Sequence, residues 1–117
     1  MLTGSPVSGG IEATVSNSVV SGNLGNGIVI ACDLGATGTV TIADSAVSNN
    51  GLNADEAGVL ASGGNCAVAV SHNVISGNAG PSMVNAGGGS FVSFGDNRIY
   101  GNNPDTPSGT VTVAPLR

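Results

Sequence analysis

Apolar residues recur along the chain in a repeated alternation with small or polar residues. Four ten-residue segments carry the pattern: TVSNSVVSGN from Thr14, TIADSAVSNN from Thr41, AVSHNVISGN from Ala69 and SFGDNRIYGN from Ser93. Aligned on these starts, three columns are apolar throughout: Ala13, Val40, Val68, Val92; Val15, Ile42, Val70, Phe94; and Val20, Val47, Ile75, Ile99. An apolar residue at every second position is typical of a strand with one buried face. Each segment therefore predicts a strand, a polar turn and a second strand.

A third short strand is predicted after each segment. The four stretches are GIVI (Gly27–Ile30), GVLA (Gly58–Ala61), SMVN (Ser82–Asn85) and TVTV (Thr110–Val113). The Gly-rich links are too short for helices, and successive copies lie 27, 28 and 24 residues apart, a period that marks repeat architectures. Stacked units share a core that one thin unit cannot form. We therefore predict an all-β parallel β-solenoid of about four to five short coils, three strands per coil. It forms one domain over residues 11–117, after a flexible lead-in at 1–10.

The repeat resembles that of right-handed parallel β-helix proteins, the pectate-lyase-like superfamily. The shared pattern is apolar, x, Asn/Asp/His, Ser/Asn, x, Val/Ile, x, Gly/Asn, Asn, and it extends from about Ile11 to the end of the chain. The tail from Ser90 resembles the closing coils of bacterial members. The resemblance implies a right-handed β-helix with stacked asparagines. It implies no particular function, because one fold supports many functions.

One asparagine ends each of the four segments. These residues are Asn23, Asn50, Asn78 and Asn102. Asparagine tolerates left-handed backbone conformations and bonds readily to nearby backbone groups. Buried backbone groups at strand ends need such partners. We therefore expect a structural ladder, similar to the asparagine ladders of the β-helix proteins.

A second polar column contains the only histidine. It consists of Asn17, Asp44, His72 and Asp96. In-register stacking would place His72 between two aspartates, an arrangement suited to acid–base chemistry. The alternative is a tight turn, because Asn, Asp and His tolerate that backbone geometry. The neighbouring column of Ser18, Ser45, Asn73 and Asn97 favours the turn, so no catalytic residue is assigned.

Composition excludes several classes of partner. Charged residues make up 8% of the chain and the net charge is −5, with Arg98 and Arg117 as the only cations. Nucleic acids and anionic lipid surfaces need clustered Lys and Arg, so neither is expected as a partner. No apolar stretch approaches the ~20 residues of a membrane span. No cofactor or metal site is predicted, and the adjacent acids Asp55 and Glu56 are interpreted as a solvated loop rather than a Ca²⁺ site.

The two cysteines leave an alternative open. Cys32 and Cys66 are too few for a zinc site or a disulfide framework. They are either two semi-buried thiols or a bridge between loops of neighbouring repeats. A bridge would imply an oxidising compartment, and a secreted or cell-surface location is expected although the first residues show no signal-peptide pattern.

Three functions from different classes are compatible with this reading. The leading hypothesis is a non-catalytic structural or adhesive module that binds carbohydrate weakly and self-associates through its open ends. The alternative is a carbohydrate-active enzyme, lyase-like or glycoside hydrolase-like, or a remnant of one. The sequence lacks the paired acids of glycoside hydrolysis. An ice-binding face is the third, suggested by Thr37, Thr39 and Thr41, but the threonine array does not continue into neighbouring coils.

Overall fold

All regular structure in the described part of the chain is β-strand. The computed structural model describes residues 2–3, 10–32 and 37–114. The strands are β1 (Leu2–Thr3), β2 (Gly10–Ser16), β3 (Val19–Ser21), β4 (Ile28–Ala31), β5 (Thr37–Ala43), β6 (Ala46–Ser48), β7 (Val59–Ser62), β8 (Cys66–Ser71), β9 (Val74–Ser76), β10 (Met83–Asn85), β11 (Ser90–Phe94), β12 (Arg98–Tyr100), β13 (Ser108–Gly109) and β14 (Thr112–Ala114).

The strands form three parallel sheets. Sheet A has the order β1-β4-β7-β10-β13, sheet B the order β14-β11-β8-β5-β2, and sheet C the order β12-β9-β6-β3. Each strand pairs with its equivalent in the next coil, as Val40 of β5 does with Val68 of β8. This is a parallel β-solenoid of about four turns with three strands per coil, which confirms the predicted fold class. The boundary predicted at residue 11 stays a prediction, and β1 pairs with β4 through Leu2 and Ile30.

The core lies inside the triangle of sheets. Along β5 the exposed residues Thr37, Thr39 and Thr41 alternate with the buried Gly38, Val40 and Ile42, as the period-two pattern predicts. Inward side chains of successive coils pack in rows. They join in one apolar cluster: Ile28, Ile30, Cys32, Val40, Ile42, Val47, Val59, Ala61, Cys66, Val68, Val70, Ile75, Met83 and Phe91.

The predicted alignment of the fourth coil is wrong by one residue in sheet B. Val68 pairs with Phe91, and Val70 pairs with Ser93, so Phe91 and Ser93 are buried. Val92 and Phe94, which the alignment assigned to the core, are only half-buried. A one-residue shift exchanges the two faces of a strand. The shift is absorbed before sheet C. Four residues (94–97) separate Ser93 from Arg98, whereas three residues (71–73) separate their partners Val70 and Val74.

The third strand of the fourth coil is also placed differently from the prediction. Ser108–Gly109 pairs with β10 in sheet A. Half of the predicted TVTV strand, Thr112 and Val113, lies instead in β14, where Thr112 pairs with Val92 of sheet B. The TVTV stretch therefore opens a fifth coil. The alternation of TVTV correctly predicted a strand but assigned it to the fourth coil. The third strand of that coil begins at Ser108, two residues earlier than the predicted Thr110.

A disulfide joins Cys32, which follows β4, to Cys66 at the start of β8. The alternative left open by the sequence is thus decided in favour of a bridge between neighbouring coils. Both cysteines are buried. Gly38 leaves room for the bridge, since a Cβ atom there would lie 2.8 Å from the Cys32 sulfur.

Candidate functional site

The second polar column lies in the tight turn between sheets B and C. Asn17, Asp44 and His72 have positive φ angles of 49°, 52° and 54°. Residues other than glycine rarely adopt this left-handed backbone conformation, and Asn, Asp and His are enriched among those that do. These residue types are therefore accounted for by the turn. Asp96 sits in the longer turn of the fourth coil and is not among the positive-φ residues.

His72 and Asp96 are the two members of this column that meet. The His72 Nδ1 atom lies 2.8 Å from Asp96 Oδ2, with the His72 side chain 67% exposed and that of Asp96 9% exposed. The backbone N–H of His72 donates to Asp96 Oδ1 at 3.1 Å. Asp44, predicted on the other side of His72, has an exposed side chain and forms no ion pair with any described residue. The structure thus brings together a pair rather than the predicted triplet.

The adjacent column, Ser18, Ser45, Asn73 and Asn97, is a continuous chain of hydrogen bonds. The N–H of Ser18 donates to Ser45 Oγ at 3.2 Å, that of Ser45 to Asn73 Oδ1 at 3.0 Å, and that of Asn73 to Asn97 Oδ1 at 2.9 Å. The Asn73 side-chain amide donates to the Ile42 carbonyl at 2.8 Å. This series of hydrogen bonds was not predicted from the sequence, because the column was interpreted only as turn residues. Its signal was the persistence of Ser and Asn beside the variable column.

The four segment-ending asparagines bond in series in the same way. Asn50 Nδ2 donates to Asn78 Oδ1 at 3.0 Å and to the Val20 carbonyl at 3.0 Å. Asn78 Nδ2 donates to Asn102 Oδ1 at 2.7 Å, and Asn23 Nδ2 to Asn50 Oδ1 at 2.8 Å. The side chains of Asn50, Asn78 and Asn102 each also bond to backbone groups of other coils at strand ends. Among the described residues, no buried side-chain nitrogen or oxygen lacks a hydrogen-bond partner.

Asp105 ends this series. Its Oδ1 atom accepts from the Asn102 backbone N–H at 2.7 Å and from Asn102 Nδ2 at 2.9 Å. These hydrogen bonds from the Asn102 backbone and side chain lower the pKa of the Asp105 carboxyl, because they favour the charged form. No role was assigned to Asp105 from the sequence. Its role was missed because it lies three residues from Asn102 and outside the repeat.

Of the two adjacent loop acids, Glu56 bonds to the backbone of its own loop. The Glu56 carboxylate accepts hydrogen bonds from the backbone N–H groups of Asn53, at 2.9 Å, and Leu52. These bonds, that from Asn53 first, lower the pKa of Glu56. These hydrogen bonds hold the loop around the Glu56 carboxylate. Nowhere in residues 10–32 and 37–114 do three His, Cys, Asp or Glu side chains come together as metal ligands could.

The outer face of sheet A is aliphatic. Val29, Leu60 and Val84 pair in one outward row. The described strands of this sheet contain no Asp, Glu, Lys or Arg. Arg98, the only Lys or Arg in the described residues, lies on the outer face of sheet C beside Val74.

The outer face of sheet B carries a shallow depression. It measures about 360 Å³ and is lined by Glu12, Ala13, Thr14, Thr39 and Thr41. Glu12 pairs with Thr39 and Thr14 with Thr41 across β2 and β5. The depression therefore presents one carboxylate and three hydroxyl groups on two adjacent strands. The threonines of β5 stood out in the sequence and Glu12 did not, because Glu12 has no acidic counterpart in the other coils.

In comparisons with known proteins, no protein-family profile, no curated protein and no solved structure matches the chain. The described residues include no helix long and apolar enough to cross a membrane.

Proposed function

We propose that this chain is a non-catalytic β-helix module of a secreted or surface protein, with a structural or adhesive role and weak binding of carbohydrate. We also infer a relation to the pectate-lyase-like superfamily and its asparagine ladders, on the strength of the repeat and the three parallel sheets. Both columns of stacked polar side chains have a structural role in this proposal.

One observation carries the proposal. The polar side chains best placed for chemistry are engaged in the scaffold: Asn50 and Asn73 are buried and bonded to backbone groups of other coils, and Asp105 and Glu56 accept backbone hydrogen bonds. The outer face of sheet B carries mainly hydroxyl-bearing or small side chains, with Glu12, Val92 and Phe94 as exceptions. Such a surface suits weak, hydroxyl-to-hydroxyl contact with a sugar chain rather than bond cleavage.

The carbohydrate part of the proposal is tested by depletion. The purified protein is immobilised, and soluble glycans of a broad panel are measured before and after passage over it. Retention of at least one neutral glycan class, absent on a matrix carrying unfolded protein, supports the proposal. Failure to retain any glycan would remove carbohydrate binding and leave only the structural role.

The second candidate function is a carbohydrate-active enzyme, lyase-like or hydrolase-like, or a remnant of one. The pairing of His72 Nδ1 with Asp96 at 2.8 Å favours it, because a carboxylate on one imidazole nitrogen orients the other toward solvent as a proton acceptor. Incubation with pectin, polygalacturonate and xylan, followed by detection of unsaturated and reducing ends, measures such an activity. His72→Ala should abolish it, and an activity that survives this substitution would sink the enzyme hypothesis.

Two further proposals concern location and assembly. The Cys32–Cys66 disulfide supports an oxidising compartment, as expected for a secreted or surface protein. Among the described strands, β1, β2 and β3 at one end and β12, β13 and β14 at the other pair on one side only. Unpaired strand edges are templates for association. Light scattering after size exclusion measures it: a dimer or larger species supports self-association through the ends, and a monomer at all concentrations argues against it.

A further inference from the structure

The depression on sheet B has unused hydrogen-bonding groups. Side-chain hydrogen bonds among the described residues follow the two turn columns and the loops, as from Ser45 to Ala43 and from Asn102 to Asp105. None of them engages the Glu12 carboxylate or the hydroxyl of Thr39. Other exposed side chains of the described residues, such as those of Asp44 and Thr112, also make no side-chain hydrogen bond. In the depression, however, a carboxylate and three hydroxyl groups line one concave surface and can contact the same ligand.

The charge of the depression restricts the ligand. Glu12 is its only charged residue, and the net charge of the chain is −5. Arg98 lies on a different sheet, beside Val74 of sheet C. A carboxylate without a neighbouring cation repels uronates, sulfated sugars and phosphates. It accepts strong, charge-assisted hydrogen bonds from hydroxyl groups.

Beside the depression, the outer face of β8 carries small side chains. Thr39 pairs with Ala67, and Thr41 with Ala69, on the neighbouring strand β8. These methyl groups leave space for a ring to lie across the strands, with its C–H face on the alanines and its hydroxyls toward β2 and β5. Strands lie about 4.8 Å apart, so the three strands β2, β5 and β8 span about 10 Å, wide enough for a sugar ring and its hydroxyl groups.

An aromatic ring lies farther along the same face. The register that buries Phe91 and Ser93 puts Phe94 on the outer side of β11. Strand and residue spacings place Phe94 roughly 12 Å from Thr41. Aromatic rings are common contact surfaces in ligand sites. A ligand longer than one sugar ring would reach from Glu12 toward Phe94.

We propose that Glu12, Thr14, Thr39 and Thr41 form a binding site for a neutral, hydroxyl-rich oligosaccharide, with Glu12 accepting hydrogen bonds from vicinal hydroxyls. This inference rests on the proposed carbohydrate binding and names its site and ligand class. Uncharged sugars are selected because the carboxylate disfavours anionic ones. The site is separate from the His72–Asp96 pair, which lies at the turn between sheets B and C.

The test is NMR titration of the ¹⁵N-labelled protein with cellohexaose, xylohexaose, chitohexaose and a hexamer of galacturonic acid. We expect at least one neutral hexamer to shift amide signals within 10–16, 37–43 and 66–71, and the anionic hexamer to shift none of them. Glu12→Gln and the double substitution Thr39→Val/Thr41→Val should each weaken binding at least tenfold. Thr112→Val is the matched control: it removes an exposed hydroxyl from the same face of sheet B and should leave the affinity within twofold.

The outcomes separate the site from the function. Binding of a neutral hexamer that both variants retain unchanged, or shifts confined to other segments, would overturn the site and leave carbohydrate binding standing. Binding of the anionic hexamer in preference would overturn the ligand class. If no hexamer shifts any signal of the folded wild-type protein, the carbohydrate part of the proposed function fails together with the site. Thermal unfolding of each variant verifies that a lost interaction is not lost folding.

Discussion

Asp105 Oδ1 accepts from Asn102 the same two hydrogen bonds, one from the backbone N–H and one from Nδ2, that Asn78 Oδ1 accepts from Asn50. A carboxylate thus takes the place that an amide oxygen takes in the interior coils. It ends the series by accepting from the Asn102 backbone N–H, while Asn102 Nδ2 also donates to the Ile75 carbonyl at 2.8 Å.

Replacing Asp105 separates its geometry from its charge. Asp105→Ala removes the acceptor and should lower the melting temperature at pH 7, whereas Asp105→Asn restores an amide oxygen and should lower it less. Thermal unfolding monitored by circular dichroism measures both. Equal melting temperatures for the wild type and both variants would contradict the role assigned to Asp105.

The same residue predicts a pH dependence. The Asn102 hydrogen bonds lower the pKa of Asp105 below its ordinary value of 3.8, so its stabilising contribution is fully present above that value. It is lost as the pH falls through the folded-state pKa. The difference in melting temperature between wild type and Asp105→Asn should therefore be constant from pH 7 to about 5 and shrink in stronger acid. A difference that grows on acidification would contradict this prediction.

Asn50→Ala tests the buried asparagine series. Asn50 is 0% exposed, and truncation leaves the Val20 carbonyl and the Asn23 N–H without their partners. Each buried unsatisfied group costs about 1–3 kcal/mol, so urea unfolding should show a loss of about 2–4 kcal/mol. Asn65→Ala, an exposed asparagine, is the control and should stay within about 0.5 kcal/mol of wild type. Equal effects of the two substitutions would refute the structural role.

A pair of phenylalanines tests the register of the fourth coil. Phe91 is 2% exposed inside the core, while Phe94 is half-buried on the outer side. Phe91→Ala should cost about 3–5 kcal/mol of unfolding free energy, and Phe94→Ala about 1 kcal/mol or less. The alignment of the sequence repeats predicts the reverse order. Denaturant unfolding of the two variants therefore decides between the two registers.

Reduction of the disulfide should weaken the stack. The bridge joins residues separated by 34 positions, and constraint of an unfolded chain over such a loop is worth about 2–4 kcal/mol. Unfolding with and without dithiothreitol measures the loss. The double variant Cys32→Ala/Cys66→Ala should show no response to the reductant. A wild type that is equally indifferent, or that contains two free thiols by mass spectrometry, would contradict the bridge.

The strands of the first three coils could be predicted from the sequence because their alternation is unambiguous. In SFVSF (Ser90–Phe94) it is not: Phe91 with Ser93, or Val92 with Phe94, both place aromatic or aliphatic side chains on one face. In the structure Phe91 and Ser93 are the buried pair. Asn97 Nδ2 donates a hydrogen bond to the Ser93 hydroxyl at 3.1 Å, so this inward polar group has a partner. A sequence pattern cannot detect a turn that is one residue longer.

The candidate site was less predictable than the fold, for a physical reason. Repeats reveal what every coil needs, such as Asn50 and its equivalents, and these residues serve the scaffold. A binding group is needed once, so Glu12 carries no repeat signal. Glu12 lies beside Thr39 and Thr41 because of the register of β2 and β5. The alignment of the repeats predicts this register but does not indicate a depression there.

The claim central to this account is that the stacked polar side chains hold the coils together. Hydrogen exchange of the Asn50 and Asn78 side-chain amides, followed by NMR, tests it most directly. Buried amides bonded to a neighbouring coil should exchange only when the solenoid opens, as slowly as the backbone amides of Val47 and Ile75. Exchange as fast as that of the exposed Asn65 side chain would contradict the account, because those amides would then not be held between coils.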